Sequence, residues 1–177
     1  MEVIEGIYVE FSPPEDRLLV RVHHSGNAEM LFWFTRRLVR LLWPVLLKMA
    51  EARPEIQAQP SPQVRQALVE MKHEQALQQV TFTQAPGAQA ALSRTRPAGD
   101  TPLLVTTVQT SRNAQGFTVC SLRPDAGFAW DLTLSDNLLH ALIKLLRDQA
   151  GVAEWELPLA MPQGFGAPSP GAAGQLH

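Results

Sequence analysis

The chain has 177 residues, of which 45% are hydrophobic and 18% are charged, and its formal net charge at pH 7 is -2. This composition is typical of a globular chain that buries one core, and it excludes a disordered or highly charged protein. The near-neutral charge also argues against a surface built entirely for nucleic acid, although a local basic patch is compatible with it.

The single cysteine and the N-terminal sequence both bear on the cellular compartment. Cys120 has no second cysteine to pair with, so no intrachain disulfide can form and a reducing environment is expected. The N-terminal sequence MEVIEGIYVEF carries acids where a secretory signal has cations, and it lacks the continuous apolar run of such a signal. We therefore expect a cytoplasmic protein.

The first predicted element is a β-hairpin within residues 1–25. Apolar residues alternate with polar or small ones at Ile7, Val9 and Phe11, and the alternation returns after the sequence SPPED. The two prolines of SPPED fix the backbone and cannot join a central ladder, which favours a turn at that point.

A long amphipathic helix is predicted next, running from the sequence SGN to about Ala52. Ser25 or Asn27 would provide its N-cap. Apolar side chains would cover about two thirds of its circumference, whereas a surface helix has an apolar stripe of about 100°. Such a helix needs cover on more than one side, from its own chain or from a partner. Pro44 removes a helical hydrogen bond to Arg40, so a kink or break is predicted between them.

Cationic side chains gather on one face of this predicted helix. Arg36, Arg37, Arg40 and Lys48 fall within about one third of the circumference, together with Trp33 and the acids Glu29 and Glu51. No acid stands at the helical spacings that would offset the repulsion between the arginines, so an anion is expected over them. It could come from the chain's own carboxylates, from an acidic protein, or from a phosphate. Arginine and tryptophan are enriched at binding hot spots, and we predict that Trp33 and the four cations bind a partner.

A second helix and a long loop are predicted in the middle of the chain. Ser61 caps the helix, Pro62 takes its first position, and the helix ends near Gln79. Its sequence is largely polar, so it is expected to lie on the surface with His73 in solvent. Residues 84–101 are rich in Ala, Gly and Pro without a sustained period, which predicts a mobile loop.

Three strands and another helix are predicted after the loop. Residues 103–111, 117–122 and 128–134 read as strands, and the glycines in the RNAQG and RPDAG sequences between them suit hairpin loops. Ser135 then caps a helix that ends near Gly151. A short closing strand is predicted at EWELPL.

These elements predict an α+β fold. We expect a single domain over residues 1–160, followed by a disordered Gly/Pro/Ala-rich tail at 161–177. Its antiparallel sheet, made of the N-terminal hairpin plus a three-stranded meander, would pack against the long helix and two shorter ones. Both halves place strands before a serine and a helix. Two explanations are open. One is an internal duplication that aligns Ser25 with Ser135, and the other is that many strand-to-helix connections use the same capping residues.

No group of residues in the sequence predicts a catalytic or metal site. His23 and His24 are adjacent in a strand, so they point to opposite faces and cannot jointly bind one ion. No nucleotide-binding, hydrolase or metalloprotease motif is present. Three aspartates have structural explanations at a turn, a strand and a helix start, namely Asp125, Asp131 and Asp136. We expect no cofactor and no metal.

The first functional hypothesis is a non-enzymatic accessory or assembly protein that acts through protein–protein contacts, self-association included. The alternative is a phosphate-directed binder of nucleic acid or an anionic membrane through Arg36, Arg37 and Arg40. A small enzyme with a pocket between sheet and helices, using His140 or Asp131, is a further alternative. A transmembrane segment is not expected, because cations interrupt the longest apolar run.

Overall fold

The computed structural model describes residues 4–79 and 94–161, and six strands in these ranges form one sheet in chain order. The strands are β1 (Ile4–Ser12), β2 (Arg17–His24), β3 (Ala28–Thr35), β4 (Leu103–Arg112), β5 (Thr118–Pro124) and β6 (Trp130–Leu134). The helices are α1 (Arg36–Glu51), α2 (Pro54–Gln57), α3 (Pro62–Gln79) and α4 (Asp136–Val152). The predicted α+β class is confirmed.

The sheet is mixed, so the prediction of a wholly antiparallel sheet is wrong. Neighbouring strands pair antiparallel except for β3 and β4, which pair parallel with Phe32 opposite Leu103 and Trp33 opposite Leu104. The physical reason is the connection between them. It contains α1, α2 and α3, which is long enough to return the chain to the end of the sheet where β3 began.

The predicted long helix is wrong in its N-terminal part, because Ala28–Thr35 forms β3. Gly26 and Asn27 have φ angles of 83° and 62°, and they turn the chain back onto β2 instead of starting a helix. The aromatic run that follows suits a central strand. Phe32 and Phe34 are buried on one face of β3, and Leu31 is buried on the other.

Helix α1 begins at Arg36 and continues without interruption to Glu51. Its N-cap is Thr35, whose side-chain oxygen accepts a hydrogen bond from the backbone N–H of Leu38 at 3.2 Å. The predicted break at Pro44 is wrong. Pro44 lies on the exposed side of the helix, where solvent can satisfy the carbonyl that its missing N–H leaves free. With 16 residues, α1 is also no longer than α3 or α4.

The core lies between one face of the sheet and the helices α1 and α4. Helix α1 packs on β3 and β4, and α4 packs on β1 and β6. The largest fully buried side chains include Phe32, Phe34, Leu46, Leu139 and Leu146. Burying one such side chain contributes roughly 1.5–3 kcal/mol, so these contacts fix both helices against the sheet.

The two halves of the molecule repeat one plan, βββα, at a shift of 100 residues. Thr35 and Ser135 are both N-caps that accept from the third backbone N–H beyond them, and the β2–β3 and β5–β6 registers coincide at the same shift. Core-facing residues recur as well: Leu38, Leu42, Leu46 and Ala50 correspond to Leu138, Leu142, Leu146 and Ala150. Thr35 is therefore the counterpart of Ser135, and the predicted alignment with Ser25 is wrong.

The C-terminal sequence EWELPL does not form the predicted strand. Glu154 and Glu156 have φ angles of 53° and 50°, which interrupt extended backbone. The segment is instead anchored by Trp155, whose indole N–H donates to Asp16 Oδ1 at 2.9 Å and whose ring packs edge-on against Phe11.

Two predicted segments fall partly outside the described residues. Of the loop predicted at residues 84–101, the part from 84 to 93 lies outside them, and so do residues 162–177 of the predicted tail. In the described part of the loop, Thr95 forms a bridge with Ala28 at the start of β3.

Candidate functional site

The exposed side of α1 carries the four cations that were predicted to share one face of a helix. The exposed residues, called here the basic ridge, are Arg36, Arg37, Arg40, Leu41, Pro44, Val45 and Lys48. The opposite side of the helix is buried in the core through Leu38, Val39, Leu42, Trp43, Leu46 and Ala50. This division follows the helical period, because residues three and four apart share a face.

No ion pair neutralises the basic ridge in the described part of the chain. Other cations of the protein are paired, such as Arg53 with Asp136 and Lys72 with Glu55. Arg36, Arg37, Arg40 and Lys48 make no such contact with a described residue. Like charges at helical spacing repel each other by a few tenths of a kcal/mol. An acidic ligand would relieve that repulsion.

Apolar side chains interrupt the cations of the ridge. Leu41 is 56% exposed and Val45 is 36% exposed, and Pro44 lies between them. Single exposed hydrophobic residues are normal on a protein surface. Apolar residues flanked by unpaired arginines match the composition of protein-binding sites, where arginine is enriched and an apolar centre is surrounded by a polar rim.

Trp33 does not belong to the basic ridge. It lies in β3, where it pairs with Leu19 and Leu104. Because side chains alternate along a strand, it faces away from Phe32 and Phe34, which point towards the helices. The structure thus places Trp33 on the opposite side of the sheet from α1, and it brings together only the four cations of the predicted set.

A buried polar cluster, which the sequence did not predict, joins the β2–β3 turn to the segment after residue 94. The Glu29 carboxylate is 1% exposed, with Oε1 3.0 Å from His23 Nε2 and Oε2 accepting from Arg96 Nε at 2.9 Å. Burial lowers the pKa of His23, against the opposing effect of its hydrogen bond to Glu29. The backbone N–H of Glu29 also donates to the Thr95 carbonyl at 2.8 Å. The cluster therefore holds the start of β3 against the segment that contains Thr95 and Arg96, and it is called here the clamp.

A pair of buried histidines joins α3 to α4. His73 was predicted in solvent, but both His73 and His140 are buried, and their Nδ1 atoms lie 3.1 Å apart. Burial is the main cause that lowers the pKa of both rings, and that of His140 falls to about 4. Both are therefore neutral near pH 7. The prediction for His73 is wrong because α3 packs against α4 and buries one of its faces, which includes Val69, His73 and Ala76.

The histidine pair lies beside a small polar cleft of about 110 Å³ between α3, the end of α1 and the start of α4. His140 lines this cleft, but the charged residues around it already satisfy one another. Arg53 pairs with Asp136, and Lys72 pairs with Glu55. The described charged residues that line the cleft, Arg53, Lys72 and Asp136, are thus all in ion pairs.

The remaining polar candidates do not converge on one site. Asp131 accepts a hydrogen bond from Ser121 on the exposed sheet face, and Asp136 pairs with Arg53 at the start of α4. Burial raises the pKa of the Cys120 thiol to about 12, so it is not a thiolate nucleophile. Among residues 4–79 and 94–161, no three His, Cys, Asp or Glu side chains are grouped to hold a metal ion.

Comparisons with known proteins assign no family to the chain. No known protein family, curated protein or solved structure matches it. Within the described ranges, no helix is long and apolar enough to cross a membrane.

Proposed function

We propose that the chain is a non-enzymatic accessory protein that binds an acidic protein partner through the basic ridge of α1. The observation that supports this most strongly is the set of four exposed cations, Arg36, Arg37, Arg40 and Lys48, that form no ion pair with a described residue. Complementary charge steers association and excludes wrong partners.

The apolar part of the ridge favours a protein over a phosphate ligand. A nucleic-acid backbone would neutralise the arginines but leave Leu41 and Val45 in water. A membrane would need a helix that buries a broad apolar face in lipid. The broad apolar face of α1 is already buried in the core, so it is not free to insert. A protein surface satisfies both parts of the ridge.

Charge reversal on the ridge tests the proposal. Tagged protein is incubated with an extract of its native host, and the captured proteins are quantified for the unmodified chain, Arg36→Glu/Arg40→Glu, Arg40→Glu and Arg123→Glu. Arg123 is an exposed cation on β5, outside the basic ridge, and provides the matched single-charge control.

We expect at least one acidic protein to be captured by the unmodified chain and by Arg123→Glu and to be lost from both Arg40 variants. Identical captured sets for Arg40→Glu and Arg123→Glu would contradict the proposal. Salt-sensitive binding of duplex DNA or anionic vesicles that Arg40→Glu abolishes would instead support the phosphate-directed alternative.

A further inference from the structure

The outer side of the helix is covered in the second repeat and exposed in the first. In the second repeat, α3 lies across α4. His73 meets His140, and the Asn137 side-chain amide donates to Gln79 Oε1 at 3.0 Å. His140 is consequently 5% exposed, and the next residue, Ala141, is 3% exposed.

Within residues 4–79 and 94–161, no such helix lies on the equivalent side of α1. At the 100-residue shift, Arg40 and Leu41 occupy the positions of His140 and Ala141, yet Arg40 is exposed and Leu41 is 56% exposed. We infer that α1 docks an acidic amphipathic helix of another protein in the way that α4 docks α3. This inference rests on the proposed function and specifies the partner's shape and charge.

The chain itself does not supply the acidic helix. The stretches outside the described residues contain no Asp or Glu apart from Glu2. Helices α3 and α4 each contain as many acids as lysines and arginines, so the same helices of a second copy would leave the ridge charges unbalanced. A partner with surplus carboxylates is therefore required.

The geometry of the ridge specifies the pattern of the docking helix. Arg36 and Arg40 are one helical turn apart, so glutamates at a spacing of four can meet both. Leu41 and Val45 repeat the same spacing and require an apolar stripe beside the glutamates. Lys48 extends the charge towards the end of the helix.

Fluorescence anisotropy with three labelled peptides tests this inference on the full-length protein. The first peptide is a helix with leucines at i, i+3, i+4 and i+7 and glutamates elsewhere. The second has the same composition in an order that destroys the apolar stripe, and the third replaces the glutamates with lysines. Each is titrated with the unmodified chain, Arg40→Glu, Leu41→Gln and Arg123→Glu.

We expect the glutamate helix to bind at least about tenfold more tightly than either other peptide, and Arg40→Glu and Leu41→Gln each to weaken it by about tenfold or more. Arg123→Glu should leave its affinity unchanged. Equal binding of the two acidic peptides would overturn the docking of a helix while leaving the proposed contact with an acidic protein intact.

Two other outcomes overturn the inference for different reasons. If the glutamate helix does not bind at about 1 mM peptide but the Arg40 variants still lose a captured protein, the ridge recognises another shape. If light scattering shows a dimer that Arg40→Glu dissociates, the occupant is a second copy of the chain.

Discussion

Protonation of the buried histidine pair should weaken the fold as the pH falls. Only one of the two facing Nδ1 atoms can carry the shared proton, so a second proton opposes the contact between His73 and His140. Arg53 and Lys72 near His140 also disfavour its charged form, as do Arg147 and Lys144 near His73, where Asp148 acts in the opposite direction.

The sign and size of the effect follow from the pKa of His140. Its pKa is about 4 in the folded chain, against an ordinary value of 6.5. The unfolded chain therefore binds the proton first, and stability is lost as the pH falls below about 6.5. Each unit of difference corresponds to about 1.4 kcal/mol, so lowering the pH from about 7 to about 5 should cost about 2 kcal/mol at this residue.

Urea unfolding followed by tryptophan fluorescence measures this loss. His73→Leu/His140→Leu removes both rings and serves as the reference, because replacing both partners of a buried hydrogen bond with apolar groups is often nearly neutral. The unmodified chain should lose about 2 kcal/mol more than the double variant between these pH values. The same loss in both proteins would refute a role for the histidine pair.

Three further changes should alter stability in defined ways, each measured by urea unfolding at neutral pH. Glu29→Gln should destabilise the chain by about 1–3 kcal/mol, because His23 and Arg96 lose the buried carboxylate between them while Arg96 keeps its ion pair with Asp100; a loss below about 0.5 kcal/mol would contradict the clamp. Thr35→Ala and Ser135→Ala should each cost about 1 kcal/mol, since each removes a helix N-cap; a neutral result for either would show that its cap is dispensable. Pro44→Ala should stabilise the chain by about 1–3 kcal/mol by restoring a helical hydrogen bond, and a loss of stability would mean that proline favours this backbone.

The helix prediction is wrong over Ala28–Thr35 because part of this segment suits both a strand and a helix. Residues 31–34 are apolar and aromatic, and periodicity does not separate a buried strand from a buried helix over so short a run. The deciding signal was the sequence SGN, which can turn a hairpin or cap a helix. Reading it as a turn would have placed His23 opposite Glu29 and predicted their contact.

Other parts of the fold could be predicted from the sequence because they depend on residues that are close together in the chain. The cap at Ser135 and the start of α3 at Pro62 follow from short-range chemistry of single residues. The contact between His73 and His140 joins residues far apart in the chain, so no short sequence pattern predicts it. The cations of the ridge were found because helical spacing alone places them on one face.

The most direct measurement is the affinity of the glutamate–leucine helix for the unmodified chain, Arg40→Glu and Arg123→Glu at one ionic strength. Docking on α1 predicts a loss of about tenfold or more for Arg40→Glu and an unchanged affinity for Arg123→Glu. Equal affinities for all three proteins, or equal losses for the two variants, would contradict the assignment of the basic ridge as the binding surface.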